Sequence, residues 1–425
     1  MNDDSGALFI HVAGVAGLVL IFVVGTARPV NLGALALVMT YLLGTLVAGE
    51  TAAAMYRGFP VDLLILLVGV TYLFGVAAAN GTVDRIVEGA ARLVRRHRVL
   101  IPWTAFVVAS LPAMAGALGS AGVAMLAPLS LRLAERYDID RRMVGLMVVH
   151  GAAAGNFSPL NVLSAIVRQA LAATGLEISA TTLFLANLAY NVALAVVAFL
   201  AFGGLGLRRS GRSETTPVVD ALPGDSGRVG LDQVCTLVAL SAVAVAAFRF
   251  GLNIGFVALA AAVCLHLLFA PSSRGAEMKI SWSVVLLVCG IVTYVSALQR
   301  HGTVDAVGAG VVRLGSPLLV ALLICVVAAV TSAFASSAGI LGAMIPLAAP
   351  LIAQGQIEAT GLVVAIAVSA TVVDATPFST VGALIVANAS ADEQARIYRG
   401  LLIWGAVMVA TAPLVTWLLF IVPAA

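Results

Sequence analysis

Charged residues are scarce in this chain, since Asp, Glu, Lys and Arg together make up 10% of its 425 residues. Soluble domains carry about 25% charged residues. The hydrophobic share is 61% and the mean hydropathy is +1.09. The composition therefore excludes an ordinary soluble domain and predicts an all-α polytopic membrane protein.

Signatures of enzymes and of cofactor sites are also missing. The four cysteines have neither metal-ligand nor disulfide-framework spacing, and they lie in apolar stretches: Cys235, Cys264, Cys289 and Cys325. The chain has no nucleotide-binding loop, no zinc-ligand spacing and no hydrolase nucleophile elbow. The sequence therefore predicts neither an enzyme nor a bound cofactor, and it gives no sign of a nucleic-acid partner.

Hydrophobic runs predict about ten membrane spans. In the first half these are residues 7–26, 31–49, 61–79, 142–174 and 180–205. In the second half they are residues 231–249, 253–270, 281–299, 360–390 and 398–422. Residues 100–136 and 316–355 are each too long for one crossing and are interrupted by small residues, so each predicts a re-entrant hairpin.

Short motifs recur in the same order at a spacing of 217 to 221 residues. GTVD at 81–84 recurs at 302–305, SAG at 120–122 recurs at 337–339, and FSP at 157–159 corresponds to FST at 378–380. The sequence therefore predicts two copies of one unit. The first copy is residues 1–205, the second is residues 231–425, and residues 206–230 form a cytoplasmic linker. Because each copy has five crossings and a hairpin, the second copy has the opposite orientation in the membrane.

Basic residues are distributed unevenly between the predicted loops. With the N-terminus outside, 18 Lys and Arg residues fall on the inner side and five on the outer side. This excess predicts that both termini are extracytoplasmic. Residues 81–98, GTVDRIVEGAARLVRRHR, are amphipathic and basic, which predicts a helix along the inner membrane surface.

Two of the predicted spans contain helix-breaking and polar residues at membrane depth. HGAAAGNFSPLNVLSAIV (150–167) contains Pro159, and VVDATPFSTVGALIVANA (372–389) contains Pro377 and Asp374. Proline frees backbone groups that need other partners, and an intramembrane carboxylate marks a functional site by default. Broken helices of this kind hold solutes in secondary transporters. The alternative is a kinked structural helix with one stray acid.

Each hairpin also carries a tip of small residues, 119–122 in the first and 336–339 in the second. Helix starts at the tips and breaks suit carboxylate oxygens, and the carbonyl ends of half-helices suit a small hard cation. Close helix packing is the alternative role for such residues. No Lys or Arg lies at the centre of these four elements, so an anion held there needs helix termini, hydroxyl groups and co-bound cations. Asp374 could ligate sodium, carry a proton or bond to a freed amide; His150 could be a packing residue or a proton relay.

The two broken-helix motifs resemble the paired motifs of the MatC-like malonate/dicarboxylate carriers, in the divalent anion:sodium symporter branch of the ion transporter superfamily. The resemblance implies an elevator-type transporter with a dimeric scaffold, with substrate between the hairpin tips and the broken helices and a sodium site beside each tip. Better-known symporters have a Ser-Asn-Thr tip. This chain has Ser-Ala-Gly at both tips, and so keeps only the serine.

The prediction is therefore a secondary active transporter in the plasma membrane. It imports a C3–C4 dicarboxylate of the malonate or succinate type, coupled to Na⁺ or H⁺, as a homodimer. The predicted substrate-binding residues are Ser120, Gly122, Asn156, Ser158, Asn161, Ser337, Gly339, Thr376, Pro377, Ser379 and Thr380. The predicted Na⁺ ligands are Ser120, Asn156, Ser336, Ser337 and Asp374. One alternative is an antiporter or exporter of the Na⁺/H⁺ or arsenite type that uses Asp374. Another is a degenerate transporter acting as a membrane sensor or scaffold.

Overall fold

The computed structural model describes residues 2–28, 30–83, 85, 98–172, 175–207, 230–250, 252–304, 306, 316–333 and 337–424. Within these ranges the regular secondary structure is helical. The first half contains α1 (Asn2–Ala27), α2 (Leu32–Leu42), α3 (Ala52–Tyr56), α4 (Val61–Ala79), α5 (Leu100–Met114), α6 (Gly119–Arg136), α7 (Arg141–Gly155), α8 (Val162–Ala172), α9 (Ala180–Ala201) and α10 (Gly204–Leu207). The second half contains α11 (Leu231–Phe250), α12 (Ile254–Leu268), α13 (Trp282–Arg300), α14 (Pro317–Ser332), α15 (Ser337–Ala353), α16 (Ala359–Val372), α17 (Thr380–Ala387) and α18 (Gln394–Thr416).

Many of these helices have the length and apolarity of membrane-crossing segments. Six segments reach at least 18 residues: Leu8–Gly25, Val61–Ala79, Ala180–Ala201, Trp282–Arg300, Ala359–Ala387 and Gln394–Ile421. Seven further apolar helices have 10 to 17 residues. The all-helical, multi-pass membrane fold is therefore confirmed. Most of residues 81–98 and of the linker 206–230 lie outside the described residues, and the limits of the two copies stay a prediction.

Both re-entrant regions consist of two helical arms, but the first tip is one turn earlier than predicted. The arms α5 and α6 are joined by residues 115–118, where Gly116 has a φ of +115° that glycine adopts most readily. The predicted tip at 119–122 instead forms the first turn of α6. In the second hairpin Ser337 begins α15, and Ser336 lies outside the described residues.

The starts of the broken helices α7 and α16 lie at opposite ends of α18. At the start of α18, Glu393 pairs with Arg141, the first residue of α7, at 3.4 Å. Just beyond its other end, Phe420 contacts Gly361 near the start of α16. The indole N–H of Trp417 donates to the carbonyl of Leu318 at the start of α14 at 2.8 Å. Consequently α7 and α16 run in opposite directions, as inverted copies require.

Two helices of the first half pack closely against two helices of the second half, and each contact is made at glycine residues. A Cβ on Gly290 of α13 would clash with the carbonyl of Gly33 in α2, and a Cβ on Gly69 of α4 would clash with the carbonyl of Gly255 in α12. Gly33 and Gly255 are 222 residues apart, and Gly69 and Gly290 are 221 apart. Small residues let membrane helices approach closely. The pairs α2–α13 and α4–α12 are therefore equivalent contacts that join the halves.

The two broken helices lie at the centre of the molecule. Every residue from Met143 to Gly155 in α7, and from Gly361 to Val372 in α16, is buried. Interrupted backbone is tolerated at membrane depth only when protein or a polar cavity surrounds it. The packing therefore provides the surroundings that the breaks need.

Candidate functional site

The first broken helix is interrupted between Gly155 and Val162, as predicted. Asn156 leaves the helical conformation with φ −58° and ψ 154°, and Phe157 has a positive φ of 62°. Pro159 has no N–H group to continue a helical ladder. The break leaves the carbonyl end of α7 and the amide end of α8 in the protein interior.

Asn161 holds the first hairpin tip against this break. Its side-chain amide donates to the carbonyls of Ala113 and Ala117 at 2.8 and 3.0 Å, and its carbonyl oxygen accepts from the N–H of Leu163 at 2.9 Å. The side chain is 1% exposed. Both N–H groups are therefore committed to the hairpin, and its substrate contact stays a prediction.

Hydroxyl groups at both breaks also bond to hairpin carbonyls. Ser158 donates to the carbonyl of Met114 at the first tip, and Thr376 donates to the carbonyl of Ala333 at the second tip at 2.9 Å. All four residues lie in or next to interrupted backbone. Each break therefore braces its own hairpin through a side chain, a role that the sequence did not predict.

Asn156 differs from its neighbours because its side chain makes no hydrogen bond to any described residue. Its carboxamide oxygen is buried without a partner, and this oxygen would lie 3.6 Å from a Cβ placed on Gly119. Among the described residues no protein acceptor bonds to the backbone N–H groups of Gly119 and Ser120 at the start of α6, or to the Ser120 hydroxyl. An unpaired acceptor and several unpaired donors therefore meet at the first tip.

The second broken helix is interrupted between Val372 and Thr380, again as predicted. Residues Val373–Ala375 form one tight helical turn, and Pro377 follows it. Ser379 caps α17 by accepting from the N–H of Gly382 at 3.0 Å. Its hydroxyl donates to backbone carbonyls on the other side of the break. Ser379 therefore stabilises the break itself.

Asp374 and Ser337 bring the second break and the second hairpin together. The Ser337 hydroxyl lies 2.8 Å from both carboxylate oxygens of Asp374 and 3.2 Å from the carbonyl of Ala370. Ser332 donates to Ser337 at 3.0 Å. Carboxylate, hydroxyl and carbonyl oxygens in one place are the ligand types that small hard cations take. Within the described residues no group of three His, Cys, Asp or Glu residues suits a transition metal.

The other predicted site residues differ in exposure. Gly122 faces α5 of its own hairpin, and Gly339 faces Leu287 of α13. Pro377 is buried, whereas Thr380 is exposed at the first turn of α17. The two glycines thus have helix neighbours in the conformation described, and a substrate contact for any of these residues stays a prediction.

The four elements of the site interlock across the two halves. The half-helix α8 packs against the hairpin arm α15, where Ile166 approaches Gly342. In the equivalent way, α17 packs against the hairpin arm α6. Each broken helix therefore contacts the hairpin of the other half as well as its own.

A buried polar chain beside the first break was missing from the sequence predictions. It joins Trp404, His150, Asn191 and Asn187, and it ends on the carbonyls at the end of α7. Both ring nitrogens of His150 are hydrogen-bonded, which agrees with a packing residue. The local sequence signal for this hydrogen-bonded network is two asparagines four residues apart in an apolar helix.

Ion pairs fasten one end of this assembly. Asp140 accepts from the guanidinium of Arg142 at 2.7 Å and from Arg396 of α18 at 3.4 Å. Burial alone would raise the pKa of Asp140, but hydrogen bonds from Arg142 and the charges of both arginines outweigh burial and lower it. The carboxylate therefore stays ionised and ties the start of α7 to α18.

Comparisons with known proteins agree with this architecture. Residues 8–156 match the family model for the N-terminus of the dicarboxylate carrier protein MatC, and residues 236–425 match the citrate transporter model. The solved YdaH transporter of Alcanivorax borkumensis has the same fold, with a TM-score of 0.58 and 14% identity over 91% of this chain and 96% of that chain. No curated protein matches the chain. Both matched families are carboxylate transporters, and their models match separate halves of the chain, which supports a membrane transporter of carboxylates.

Proposed function

We propose that the protein imports a small C3–C4 dicarboxylate of the malonate or succinate type together with Na⁺. The observation that carries this proposal is the surroundings of Asp374. Its side chain touches the Ser337 hydroxyl, and no salt bridge joins it to a cationic side chain in the described part of the chain. A carboxylate at membrane depth needs a counter-charge, which a bound sodium ion would supply.

The anionic substrate has donors at the first tip. The unpaired N–H groups of Gly119 and Ser120 open α6, where the helix dipole favours carboxylate oxygens. The N–H groups of the Asn156 carboxamide make no hydrogen bond to the described residues and would add a donor, whereas its buried oxygen is an unpaired acceptor that suits a cation. We assign one substrate carboxylate to these groups and the second to the Thr380 hydroxyl, because the hydroxyls of Thr376 and Ser379 at the same break already donate to backbone carbonyls.

Electrostatics supplies the reason for coupling. Without cations, the site would carry both Asp374 and a dianion through a region of low dielectric constant, which is strongly unfavourable. One sodium ion beside Asp374 and Ser337, and a second near Ser120 and Asn156, would bring the net charge of the occupied site close to zero. Ser336 completes the predicted ligand set at the second tip.

The movement is proposed to be an elevator. In this proposal α2, α4, α12 and α13, joined by their glycine crossings, form a static scaffold of a homodimer. The hairpins and broken helices move against it in the plasma membrane. Both termini are proposed to be extracytoplasmic, so that the first hairpin opens from the cytoplasm.

Uptake into proteoliposomes tests this function. Radiolabelled malonate or succinate should accumulate faster with an inward Na⁺ gradient than with K⁺ at equal ionic strength and pH. Vesicles without protein provide the background. Uptake that is indifferent to both Na⁺ and pH would contradict coupling, and uptake driven by a pH gradient alone would assign the role to protons.

A second candidate is an antiporter or exporter that moves protons through Asp374. Among the described residues this acid has one hydroxyl partner, Ser337, and such sparse pairing also suits a group that gains and loses a proton. In that case Asp374→Asn abolishes proton exchange, and no carboxylate raises the melting temperature of the purified protein. A sodium-dependent shift with malonate or succinate would decide for the first candidate.

A further inference from the structure

The buried chain beside the first break fixes the direction of every hydrogen bond in it. The indole N–H of Trp404 can only donate, and it donates to Nε2 of His150 at 2.9 Å. Nδ1 of the imidazole therefore carries the proton and donates to Oδ1 of Asn191 at 3.1 Å. Nδ2 of Asn191 then donates to Oδ1 of Asn187 at 3.0 Å. The amide orientations follow from the indole alone.

The last member of the chain caps the broken helix. Nδ2 of Asn187 donates to the carbonyls of Ala153 and Asn156 at 2.8 and 3.1 Å, and Asn187 is fully buried. Both carbonyls lie at the end of α7, where few backbone N–H groups remain: the carbonyl of Ala153 also accepts from the N–H of Asn156 at 3.1 Å, and the carbonyl of Asn156 has no backbone donor among the described residues. The amide of Asn187 therefore satisfies the end of the half-helix without any ion.

The second half lacks this device. At the spacing of 221 residues that relates FSP to FST, Asn187 corresponds to Met408 and Asn191 corresponds to Ala412. Asp374 corresponds to Ala153, one of the capped residues. The two breaks have thus diverged: the first has a neutral amide cap on α9, and the second has an acid in the break itself.

We propose that Asn187 is a positioning residue that keeps the carboxamide of Asn156 free for cargo at the first tip. This inference rests on the proposed function. Asparagine side chains readily bond to backbone groups near them in the chain. Without Asn187, the side-chain amide of Asn156, three residues from Ala153 along the chain, can replace the lost donor at the end of α7, and it then turns away from Gly119. The cap on α9 prevents this competition.

A double-mutant cycle tests the proposal through uptake of malonate or succinate at saturating Na⁺. Asn156→Ala removes the free carboxamide and should raise the apparent KM about tenfold. Asn187→Ala should raise the KM by a similar factor, with a smaller change in maximal rate. If Asn187 acts through Asn156, the KM of the double variant is also about tenfold above that of the wild type. The second substitution then has no further effect, because the Asn156 carboxamide is already absent.

The control is Asn388→Ala, which removes an equivalent amide from the end of α17, where Asn388 donates to the carbonyl of Leu384 at 2.8 Å. Its KM should stay within twofold of the wild type. Trp404→Phe keeps an aromatic ring but removes the indole N–H that donates to His150, and it should raise the KM several-fold. It serves as a second variant if Asn187→Ala fails to fold.

The outcomes distinguish a failure of the positioning role of Asn187 from a failure of the proposed dicarboxylate uptake. A double variant with a KM raised about a hundredfold means independent effects, and a KM unchanged in Asn187→Ala and Trp404→Phe means no effect; either result overturns the positioning role while transport stands. A wild-type protein that takes up no carboxylate overturns the proposed function and the positioning role together.

Discussion

The hydroxyl oxygen of Ser337 lies 2.8 Å from each carboxylate oxygen of Asp374. One hydroxyl proton is at most shared between the two oxygens, whereas an ionised carboxylate has about four acceptor positions. Ser332 donates to Ser337 rather than to the acid. The protein therefore supplies this half-buried carboxylate with fewer hydrogen bonds than its ionised form can accept, and a cation or a proton can supply the remaining stabilisation.

Removing the charge of Asp374 should remove the dependence on sodium. Asp374→Asn keeps the size of the side chain but no longer attracts a cation, so we expect at least a tenfold fall in Na⁺-stimulated uptake. Ser337→Ala keeps the carboxylate and should raise the Na⁺ concentration for half-maximal uptake several-fold. The measurement is initial uptake against Na⁺ concentration in proteoliposomes.

Ser164→Ala is the control for these two variants. The Ser164 hydroxyl is buried in α8 without a hydrogen-bond partner, so its removal should leave the sodium dependence unchanged. Sodium stimulation that survives in Asp374→Asn would rule out this acid as the coupling group.

Asn161 should be important for the stability of the first hairpin. Asn161→Leu leaves the carbonyls of Ala113 and Ala117 without their donor, and an unpaired buried polar group costs about 1–3 kcal/mol. We expect the apparent free energy of unfolding to fall by about 2–4 kcal/mol. Thermal unfolding in detergent measures this change.

Asn161→Asp is the informative comparison for that prediction. It retains an acceptor for the N–H of Leu163 but loses both donors to the hairpin. It should therefore be nearly as unstable as Asn161→Leu. Full stability of either variant would show that these hydrogen bonds do not hold the tip.

The breaks were predictable because their causes are local. Pro159 and Pro377 act on their own turns of helix, and the recurrence of FSP as FST places both breaks at equivalent positions. The hairpin tip was placed one turn late. Its position depends on Asn161 bonding to carbonyls 44 and 48 residues away, which a short motif cannot reveal.

The buried chain was unpredictable for a similar reason. His150 meets Asn191 across 41 residues and Trp404 across 254, so no local pattern joins them. Likewise, Ser158 and Thr376 were predicted to bind substrate because hydroxyl groups at a break suit a ligand. The same groups suit backbone carbonyls, and in this conformation they bond to the hairpins.

The glycine crossings should not tolerate a side chain. In Gly290→Ala the new methyl group meets the carbonyl of Gly33, which belongs to helix backbone and cannot move aside as a flexible side chain can. Overpacking of this kind costs about 1–3 kcal/mol or more. We expect a large loss of monodisperse protein in size-exclusion chromatography. Gly206→Ala, where no atom lies within 4 Å, should behave like the wild type.

The ion pairs of Asp140 should make stability depend on pH in one direction. Because the folded protein lowers the pKa of Asp140, its ionised form stabilises the fold above the unfolded pKa of about 4, and this stabilisation is lost as the pH falls through the folded pKa.

Asp140 also caps α7, accepting from the N–H of Arg142 at 2.8 Å, and asparagine caps helices equally well. Asp140→Asn therefore isolates the charge. We expect it to be about 1 kcal/mol less stable at pH 7, a difference that closes below about pH 4. Thermal unfolding of both proteins across this range measures it. A difference that persists at low pH would mean that packing, rather than charge, ties α7 to α18.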